Sequence, residues 1–397
     1  MQTINAVAEL SSFVANSEVF IERMQAEGAF PNERKSQKRI YAPGEAARLI
    51  GRDRTTITRA EVPLGIEPQR DSESGRRLGY RISDIQSFRT HFGTLPWRDP
   101  NQDAPLVLVV QNFKGGVGKS TTVINLAHYL SELGLRVLVL DTDAQSTTTA
   151  YFGYIPDKDF TRDDTLYPYL NGDKADLQYA IRKTHWPTIG LIPACLQLSD
   201  VESGGILRLA TEQSAESRRE FFRELRHGID TVSNDYDVVL VDTPPALGIM
   251  SLLDLVAADA LLIPTTAQMP DFASTAQFAR MIRDYLKNID PTKEFRWIQL
   301  LITKYSKRGK QKADEKTMQE KFYDVIRQIF KGSVLETVIY ESAEIQNDAA
   351  VFSTPYEQEN PNRRVLVPMG NAFAEVMKLI QRGWPSKAEQ LERRGLA

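Results

Sequence analysis

Residues 106–122 read LVLVVQNFKGGVGKSTT, and this stretch decides the fold of the chain. Its first five residues are an unbroken apolar run, which is typical of a strand buried on both faces of a sheet. The glycine-rich segment that follows leads into a helical pattern from Val123 to Leu133. Glycines let consecutive backbone N–H groups turn toward one anion, and the helix N-terminus adds its positive dipole end. The stretch therefore predicts a phosphate-binding loop between a buried strand and a helix.

Within this loop the spacing assigns a task to individual side chains. Lys119 is placed to reach the β- and γ-phosphates of a nucleotide, and the Ser120 hydroxyl is placed to ligate Mg²⁺. We therefore expect ATP and Mg²⁺ as the cofactors. The residues predicted to contact the nucleotide are consecutive, namely Gly115, Gly116, Val117, Gly118, Lys119, Ser120 and Thr121.

The change from a short β-branched run to a longer helical stretch recurs along the chain. The strand candidates are residues 106–111, 136–141, 189–193, 237–242, 260–264 and 297–303, with a weaker one at 334–339. Strands that alternate with helices predict βαβ crossovers. The expected fold is α/β, with a mostly parallel sheet flanked by helices.

Two acidic motifs close strands of this sheet, at the edge where ligands bind in open α/β sheets. Residues 136–145 read RVLVLDTDAQ and place Asp141 and Asp143 after one strand. Residues 237–245 read DVVLVDTPP and place Asp242 at the end of another. A single aspartate at a strand end is usually a cap or turn residue. Here two strands that end in aspartate follow a phosphate loop in the chain, and this order indicates a site for magnesium binding and hydrolysis.

The loop departs from the usual phosphate-loop pattern because Phe113 stands where its first glycine is expected, and Lys114 follows. The string KGGVGKST, residues 114–121, resembles the deviant Walker A motif of the ParA/MinD superfamily of P-loop ATPases. The resemblance implies that Lys114 reaches across a dimer interface to the partner's nucleotide. A surface lysine without that role is the alternative.

The resemblance extends to the acidic motifs. Residues 141–145 are similar to the DxDPQ segment of the family, with Ala144 where proline is usual. This match implies that Asp143 orients the attacking water and that Asp141 supports the magnesium shell. Residues 237–245 resemble Walker B, which implies that Asp242 holds Mg²⁺. The predicted catalytic residues are Lys114, Lys119 and Asp143, and the predicted metal site is Ser120, Asp242 and Asp141.

Residues 34–98 form a basic segment, with 14 Lys and Arg against seven Asp and Glu. Residues 40–59 predict two helices around a turn at Gly51, 75–81 predict a basic hairpin, and 82–92 predict a closing helix. The segment resembles a winged helix-turn-helix of the MerR-like sort, and a helical interaction module with a solvated charged face is the alternative. The candidate DNA contacts are Arg52, Arg54, Thr55, Thr56, Arg59, Arg76 and Arg77.

Three further segments complete the predicted organisation. Residues 1–33 carry a helical pattern too small for its own core, so it packs on its twin in a dimer or on its own chain. Residues 304–312 carry five basic side chains. Among them Lys307, Arg308 and Lys310 are candidates for non-specific DNA binding or belong to a solvated loop.

A proline-rich linker at 95–105 divides the chain. The predicted parts are a dimerisation helix (1–33), a DNA-binding domain (34–98) and an ATPase domain (106–397).

Composition narrows the protein class. The chain has 397 residues, of which 42% are hydrophobic and 25% charged, as in soluble globular proteins. No apolar run approaches the ~18 residues that span a bilayer. The single cysteine, Cys195, excludes disulfide frameworks, cysteine-rich zinc sites and an iron–sulfur cluster within one chain. We expect a cytoplasmic protein associated with the nucleoid and not with a membrane.

Taken over its whole length, the chain resembles the large plasmid-type ParA proteins. The resemblance implies an ATP-hydrolysing partition protein whose ATP-bound homodimer binds non-specific DNA. A ParB-like centromere-binding partner would stimulate hydrolysis, and the helix-turn-helix would repress the protein's own operon. Two alternatives are a nucleotide-switched transcription regulator and a MinD-like membrane-cycling ATPase. The latter needs a C-terminal amphipathic helix, and residues 387–397 are too charged for one.

Overall fold

The computed structural model describes residues 6–26, 35, 38–212, 214–306 and 317–388. The first elements are three helices, a short hairpin and a fourth helix: α1 Ala6–Ala26, α2 Pro43–Ile50, α3 Arg54–Leu64, β1 Gln69–Arg70, β2 Arg77–Gly79 and α4 Ile82–Phe92. The strands that follow are β3 Leu106–Val110, β4 Val137–Asp141, β5 Arg182–Lys183, β6 Ile189–Ile192, β7 Val238–Asp242, β8 Ala260–Thr266 and β9 Trp297–Thr303. The helices between and after them are α5 Lys119–Leu133, α6 Thr147–Tyr151, α7 Tyr167–Leu170, α8 Asp200–Thr211, α9 Ala215–Val232, α10 Ile249–Ala257, α11 Met269–Ile289, α12 Met318–Ile329, α13 Ala343–Ala349 and α14 Arg363–Arg382.

Seven strands form one sheet in the order β5-β6-β4-β7-β3-β8-β9. All neighbours are parallel except β5 and β6. The expected mostly parallel α/β fold is therefore confirmed. The weak candidate at 334–339 is not a strand: Val334 forms an isolated bridge with Leu300 of β9, and Tyr340, just beyond the candidate, forms one with Tyr305. Strand β5 was not predicted, because two residues are too few to show a pattern.

Alternate residues of the central strand β3 supply the two apolar layers of the core. Leu106, Leu108 and Val110 pack with α5 and α14 on one face. Val107 and Val109 pack with α9 and α10 on the other. Because both faces are covered, the strand is apolar at every position. Strand β3 therefore lies inside the sheet, between β7 and β8, and the phosphate loop follows directly from it.

The N-terminal segment follows the predicted order of helix, turn, helix, hairpin and helix. Gly51 ends α2 in the left-handed conformation, and Asp53 caps α3 by accepting a hydrogen bond from the Thr56 N–H at 2.9 Å. Tyr41 and Tyr80 exchange backbone hydrogen bonds at 2.8 and 3.0 Å, which ties the start of the segment to the hairpin. We call residues 38–92 the basic module.

The basic module packs on the C-terminal end of α5. The Glu132 carboxylate accepts hydrogen bonds from Arg39 Nη1 and from the Tyr41 hydroxyl, the latter at 2.7 Å. Gln86 Nε2 donates to the Ser131 carbonyl at 3.0 Å. The linker predicted at 95–105 is itself well packed, since Arg98 is buried and donates to the Asp103 carbonyl at 2.8 Å. Helix α5 therefore begins at the phosphate loop and contacts the basic module at its C-terminal end.

We expect Arg39→Met to destabilise the protein by about 3–5 kcal/mol, because it leaves Glu132 buried without its counter-charge. Burial already raises the pKa of Glu132 while Arg39 lowers it. Without Arg39 that pKa rises further, so folding must protonate Glu132. The loss of stability should then grow from pH 5 to pH 8. Urea unfolding across this pH range measures it.

Arg283→Met is the matched control for this prediction. Arg283 lies exposed on α11 and pairs with Asp284 at the surface, where an ion pair contributes little. Equal effects of the two substitutions, or a loss that does not depend on pH, would show that the Glu132 contact does not stabilise the fold.

Candidate nucleotide-binding and active site

The phosphate loop begins directly after β3 and ends where α5 begins at Lys119. Gly116 and Gly118 have φ angles of 77° and 90°. These are left-handed conformations that only glycine adopts without strain. The two glycines therefore form the bend that takes the chain from strand to helix, as the sequence predicted.

Two side chains that the sequence analysis missed hold this loop in place. The Asn112 amide accepts a hydrogen bond from the Lys114 N–H at 3.1 Å and donates to the Pro264 carbonyl at 2.8 Å. The Thr303 hydroxyl, at the end of β9, donates to the Val117 carbonyl at 2.7 Å. Both residues stand at strand ends, and polar residues at strand ends are the sequence signal that could have identified them. Only the aspartates at such positions were singled out. Strands β8 and β9 thus support the loop from one side.

The structure brings Lys119, Asp143 and Asp242 together. Lys119 is 8% exposed, and burial lowers its pKa while Asp242 and Asp143 raise it. Asp143 is half-buried and accepts from the Gln145 N–H at 3.0 Å. Burial raises the pKa of Asp143, and Lys119 lowers it. The result is a partly desolvated lysine flanked by carboxylates at the mouth of the loop.

Asp242 is fully buried at the end of β7 and has one carboxylate oxygen to spare. Its Oδ2 accepts from the Thr148 hydroxyl at 2.7 Å, whereas Oδ1 makes no hydrogen bond of good geometry with a described residue. Burial raises the pKa of Asp242 to about 6, and the Thr148 and Ser120 hydroxyls lower it. An unsatisfied carboxylate oxygen beside a hydroxyl is a hard oxygen set that fits Mg²⁺.

Asp141 lies opposite Asp242 in register on the adjacent strand β4. Its Oδ2 accepts from the Thr149 N–H at 2.8 Å and from the Thr149 hydroxyl at 2.7 Å. Its Oδ1 accepts from the Asp143 N–H at 3.3 Å. Burial and the neighbouring Asp242 raise the pKa of Asp141 well above its usual range. Both Asp141 oxygens therefore hold the loop that carries Asp143.

Lys114 contacts its own chain in this structure. Its Nζ lies 3.5 Å from Oδ1 of Asp271, near the start of α11, and its side chain is 44% exposed. The other Asp271 oxygen accepts from the Thr266 hydroxyl at 2.7 Å. The sequence analysis missed Asp271 because no local pattern links it to the phosphate loop. A part-exposed ion pair of this kind is weak, so Lys114 can leave it at little cost.

The candidate DNA-contacting residues fall into three groups. Arg52, Arg54, Thr55 and Arg59 on or beside α3, and Arg76 in the hairpin, are exposed. Thr56 is half-buried and its hydroxyl donates to Asp53 Oδ2 at 2.6 Å, while the Arg77 guanidinium binds Glu61 and Tyr80. Lys307, Arg308 and Lys310 lie outside the described residues.

The chain is similar in sequence to proteins that are already known. Residues 106–294 match the sequence profile of a family described as "AAA domain". Protein SopA of Escherichia coli K12 is 35% identical over 378 residues, which cover 94% of this chain and 92% of SopA. The chromosome partitioning protein ParA of Caulobacter vibrioides is 30% identical over 251 residues, which cover 63% of this chain and 85% of ParA. The chain belongs to the ParA family of P-loop ATPases. It is therefore an ATPase.

Two solved structures share the fold of this ParA-family chain. One, titled "Partition Protein", aligns with a TM-score of 0.64 at 19% identity and covers 95% of this chain and 99% of its own. The other is cobyrinic acid a,c-diamide synthase from Mycobacterium smegmatis with a bound ATP analog and magnesium. It aligns with a TM-score of 0.54 at 25% identity and covers 71% of this chain and 96% of its own. Among the described residues, no helix is long and apolar enough to cross a membrane.

We expect Lys119→Ala to lower ATP turnover at least about 100-fold, because the loop loses the cation that reaches the β- and γ-phosphates. Phosphate release at saturating Mg²⁺ and ATP measures the effect. Lys287→Ala, an exposed lysine on α11, should leave turnover unchanged. If the Lys119 variant hydrolysed ATP at the normal rate, the site would have to lie elsewhere.

Proposed function

We propose that this chain is a DNA-partition ATPase that binds non-specific DNA as an ATP-bound homodimer. In this cycle a ParB-like protein on the cargo DNA stimulates hydrolysis and releases the dimer. The observation that carries the proposal is Lys114, an additional lysine at the phosphate loop that forms a weak, part-exposed ion pair with Asp271. A lysine that leaves this pair is free to reach a second nucleotide, which couples ATP binding to dimer formation.

The proposed chemistry assigns a task to each residue of the site. The loop from Gly115 to Thr121 holds the phosphates, with Lys119 beside the transferred group. Ser120 and the spare oxygen of Asp242 hold Mg²⁺, which when bound neutralises developing phosphate charge. Asp143 orients the attacking water, and Asp141 positions the Asp143 loop through its hydrogen bonds. Because this set contains no arginine, slow intrinsic turnover and stimulation by a partner are expected.

Helix α1 supports dimerisation through its exposed apolar side chains. Val7, Leu10, Phe13 and Phe20 are 74, 65, 69 and 60% exposed, although side chains of this size are usually covered. An amphipathic helix of one protomer is covered most simply by the same helix of a second. Residues 1–33 are therefore the proposed dimerisation segment, 34–98 the DNA-binding domain and 106–397 the ATPase domain.

The basic module is the proposed operator-binding unit, as a winged helix-turn-helix. Exposed Arg52, Arg54, Thr55 and Arg59 at α3 suit contacts with phosphates and base edges in the major groove. Arg76 extends this surface from the hairpin. Thr56 and Arg77 act differently, since the Thr56 hydroxyl donates to Asp53, the N-cap of α3, and Arg77 ties the hairpin to α3 through Glu61. Repression of its own operon follows if the operator overlaps the promoter. Lys307, Arg308 and Lys310 are proposed for non-specific DNA.

The contact between the module and α5 favours a second candidate, a transcription regulator whose operator affinity depends on the nucleotide. The Arg39–Glu132 pair lies at one end of α5 and Lys119 at the other. A change at the phosphate loop is thereby linked to the DNA-reading helices through one rigid element. In this alternative, hydrolysis only switches operator binding and plays no part in segregation.

One binding experiment separates the two functions. We expect random-sequence duplex DNA to bind strongly with ATP and Mg²⁺ and weakly with ADP or no nucleotide, at one fixed salt concentration. DNA upstream of the chain's own gene should also bind with ADP. Fluorescence anisotropy with both duplexes measures these affinities.

Two variants serve as controls for that experiment. Lys119→Ala should lose the ATP-dependent binding to random DNA, and the double variant Arg54→Ala/Arg59→Ala should lose only the binding to upstream DNA. Random-DNA binding that ignores the nucleotide would overturn the partition cycle. Nucleotide-dependent binding confined to upstream DNA would establish the regulator instead.

A second test concerns the pair that holds Lys114. We expect Asp271→Asn to strengthen ATP-dependent dimerisation roughly two- to thirtyfold, because each of the two protomers no longer breaks a part-exposed ion pair of about 0.2–1 kcal/mol. Analytical ultracentrifugation with a slowly hydrolysed ATP analogue measures the dimer constant. Asp284→Asn on the same helix is the control. A weaker dimer in the Asp271 variant would mean that Asp271 itself contributes to the dimer interface.

A further inference from the structure

Two of the four histidines of the chain meet one glutamate beside α5. His128 lies within α5, His185 follows β5, and Glu357 lies between α13 and α14. Each offers a ligand atom, and these atoms lie within 4.8 Å of one another. Neither the phosphate chemistry nor the proposed DNA contacts use this cluster, which we call the His–Glu cluster.

The ring nitrogens of the cluster are arranged as metal ligands require. His128 is fully buried, and its Nδ1 lies 3.0 Å from the Thr354 hydroxyl, whereas its Nε2 has no hydrogen-bond partner among the described residues. A metal-ligating histidine typically binds through one nitrogen while the other is held by a polar neighbour. The Nδ1 of His185 is likewise buried without a described partner. Leaving buried polar atoms unsatisfied costs free energy that a bound ion would recover.

The protonation states also suit a metal. Burial lowers the pKa of His128 to about 3, so its ring is neutral. Burial raises the pKa of Glu357, but the His185 hydrogen bond and Lys35 outweigh it and hold that pKa at about 2. Neutral imidazole and ionised carboxylate are the forms that coordinate metal ions.

A cation already occupies part of this space. Lys35 Nζ lies 3.2 Å from Glu357 Oε1 and donates to the Tyr151 carbonyl at 2.8 Å and to the Phe352 carbonyl. Burial lowers the pKa of Lys35, so its charge is held at a cost in desolvation. The buried Glu357 carboxylate thus needs a positive charge as its partner, and the Lys35 ammonium group supplies it.

We propose that the His–Glu cluster binds a divalent ion of the zinc class in competition with Lys35. Two imidazole nitrogens and one carboxylate oxygen form a ligand set that suits Zn²⁺, with water in the fourth position. The ion replaces the ammonium as the partner of Glu357. The hydrogen bond between His185 Nε2 and Glu357 Oε1, now 2.6 Å, opens on binding. The Nε2 proton that forms this hydrogen bond moves to Nδ1 or leaves when Nε2 binds the ion.

Because Lys35 holds its own segment of the chain against the ATPase core, its displacement by an ion would affect more than the cluster. Residue 35 lies between α1 and the basic module, and its contacts with Tyr151 and Glu357 hold this connection against the ATPase core. A bound ion removes that attachment point. Metal binding would therefore release Lys35 from Tyr151 and Glu357, whether or not the partition cycle proposed above is correct.

Titration of the nucleotide-free full chain with Zn²⁺ alone tests the site, using a chromophoric chelator as competitor. We expect one ion per chain, with affinity reduced at least about tenfold in His128→Asn and in Glu357→Gln. Lys35→Met should instead bind Zn²⁺ at least about tenfold more tightly, because the competing charge is gone. A purely structural role for Lys35 would not give this gain.

The two remaining histidines provide matched controls, since His91 and His227 are exposed. His91→Asn and His227→Asn should leave the affinity unchanged, and Co²⁺ should give the intense visible absorption of a four-coordinate site. Circular dichroism identifies any variant that has not folded, and if Glu357→Gln is one, His128→Asn and Lys35→Met decide. Absence of binding, insensitivity to His128→Asn, or a Lys35→Met chain that binds no more tightly would each overturn the proposal.

Discussion

Asp141 and Asp242 lie side by side on neighbouring strands, fully buried, and the rest of the site is arranged around their mutual repulsion. Each carboxylate is held by hydroxyl donors from α6, Thr149 for Asp141 and Thr148 for Asp242. Lys119 supplies the nearby positive charge. Because buried like charges raise each other's pKa, this arrangement is stable only while cations and hydrogen-bond donors face it. In the function that we propose, Mg²⁺ held by Asp242 would supply further positive charge.

Helix α5 transmits the consequences of this site to the rest of the chain. Its first residue is Lys119, its middle carries His128, and its last turn carries Glu132. These three positions contact the nucleotide site, the His–Glu cluster and the basic module in turn. A helix buried along most of its length moves as a unit, since a close-packed interior resists local deformation. One element therefore connects the three regions for which we propose functions.

Much of the fold and part of the site could be predicted from short stretches of sequence. The phosphate loop, its glycines and the two strand-end aspartates follow from local patterns, because backbone conformation and strand burial are set by neighbouring residues. The same holds for the helices on either side of Gly51 and for the closing helix 82–92. Strand β5 was missed because its two residues show no periodicity. The roles of Thr56 and Arg77 differ from those expected of exposed DNA contacts, since both side chains face other residues of the module.

The sequence by itself determined the α/β class, the nucleotide loop, the likeness to ParA-family ATPases and the order of the N-terminal elements. Tertiary structure alone decided which distant side chains support them. Asp271 meets Lys114, Thr303 supports Val117, and Lys35 reaches Glu357 across more than three hundred residues. It also decided that the basic module packs on α5 through Arg39 and Glu132. Such contacts produce no periodic or local pattern in the sequence. They depend on how crossovers and loops bring distant segments of the chain together.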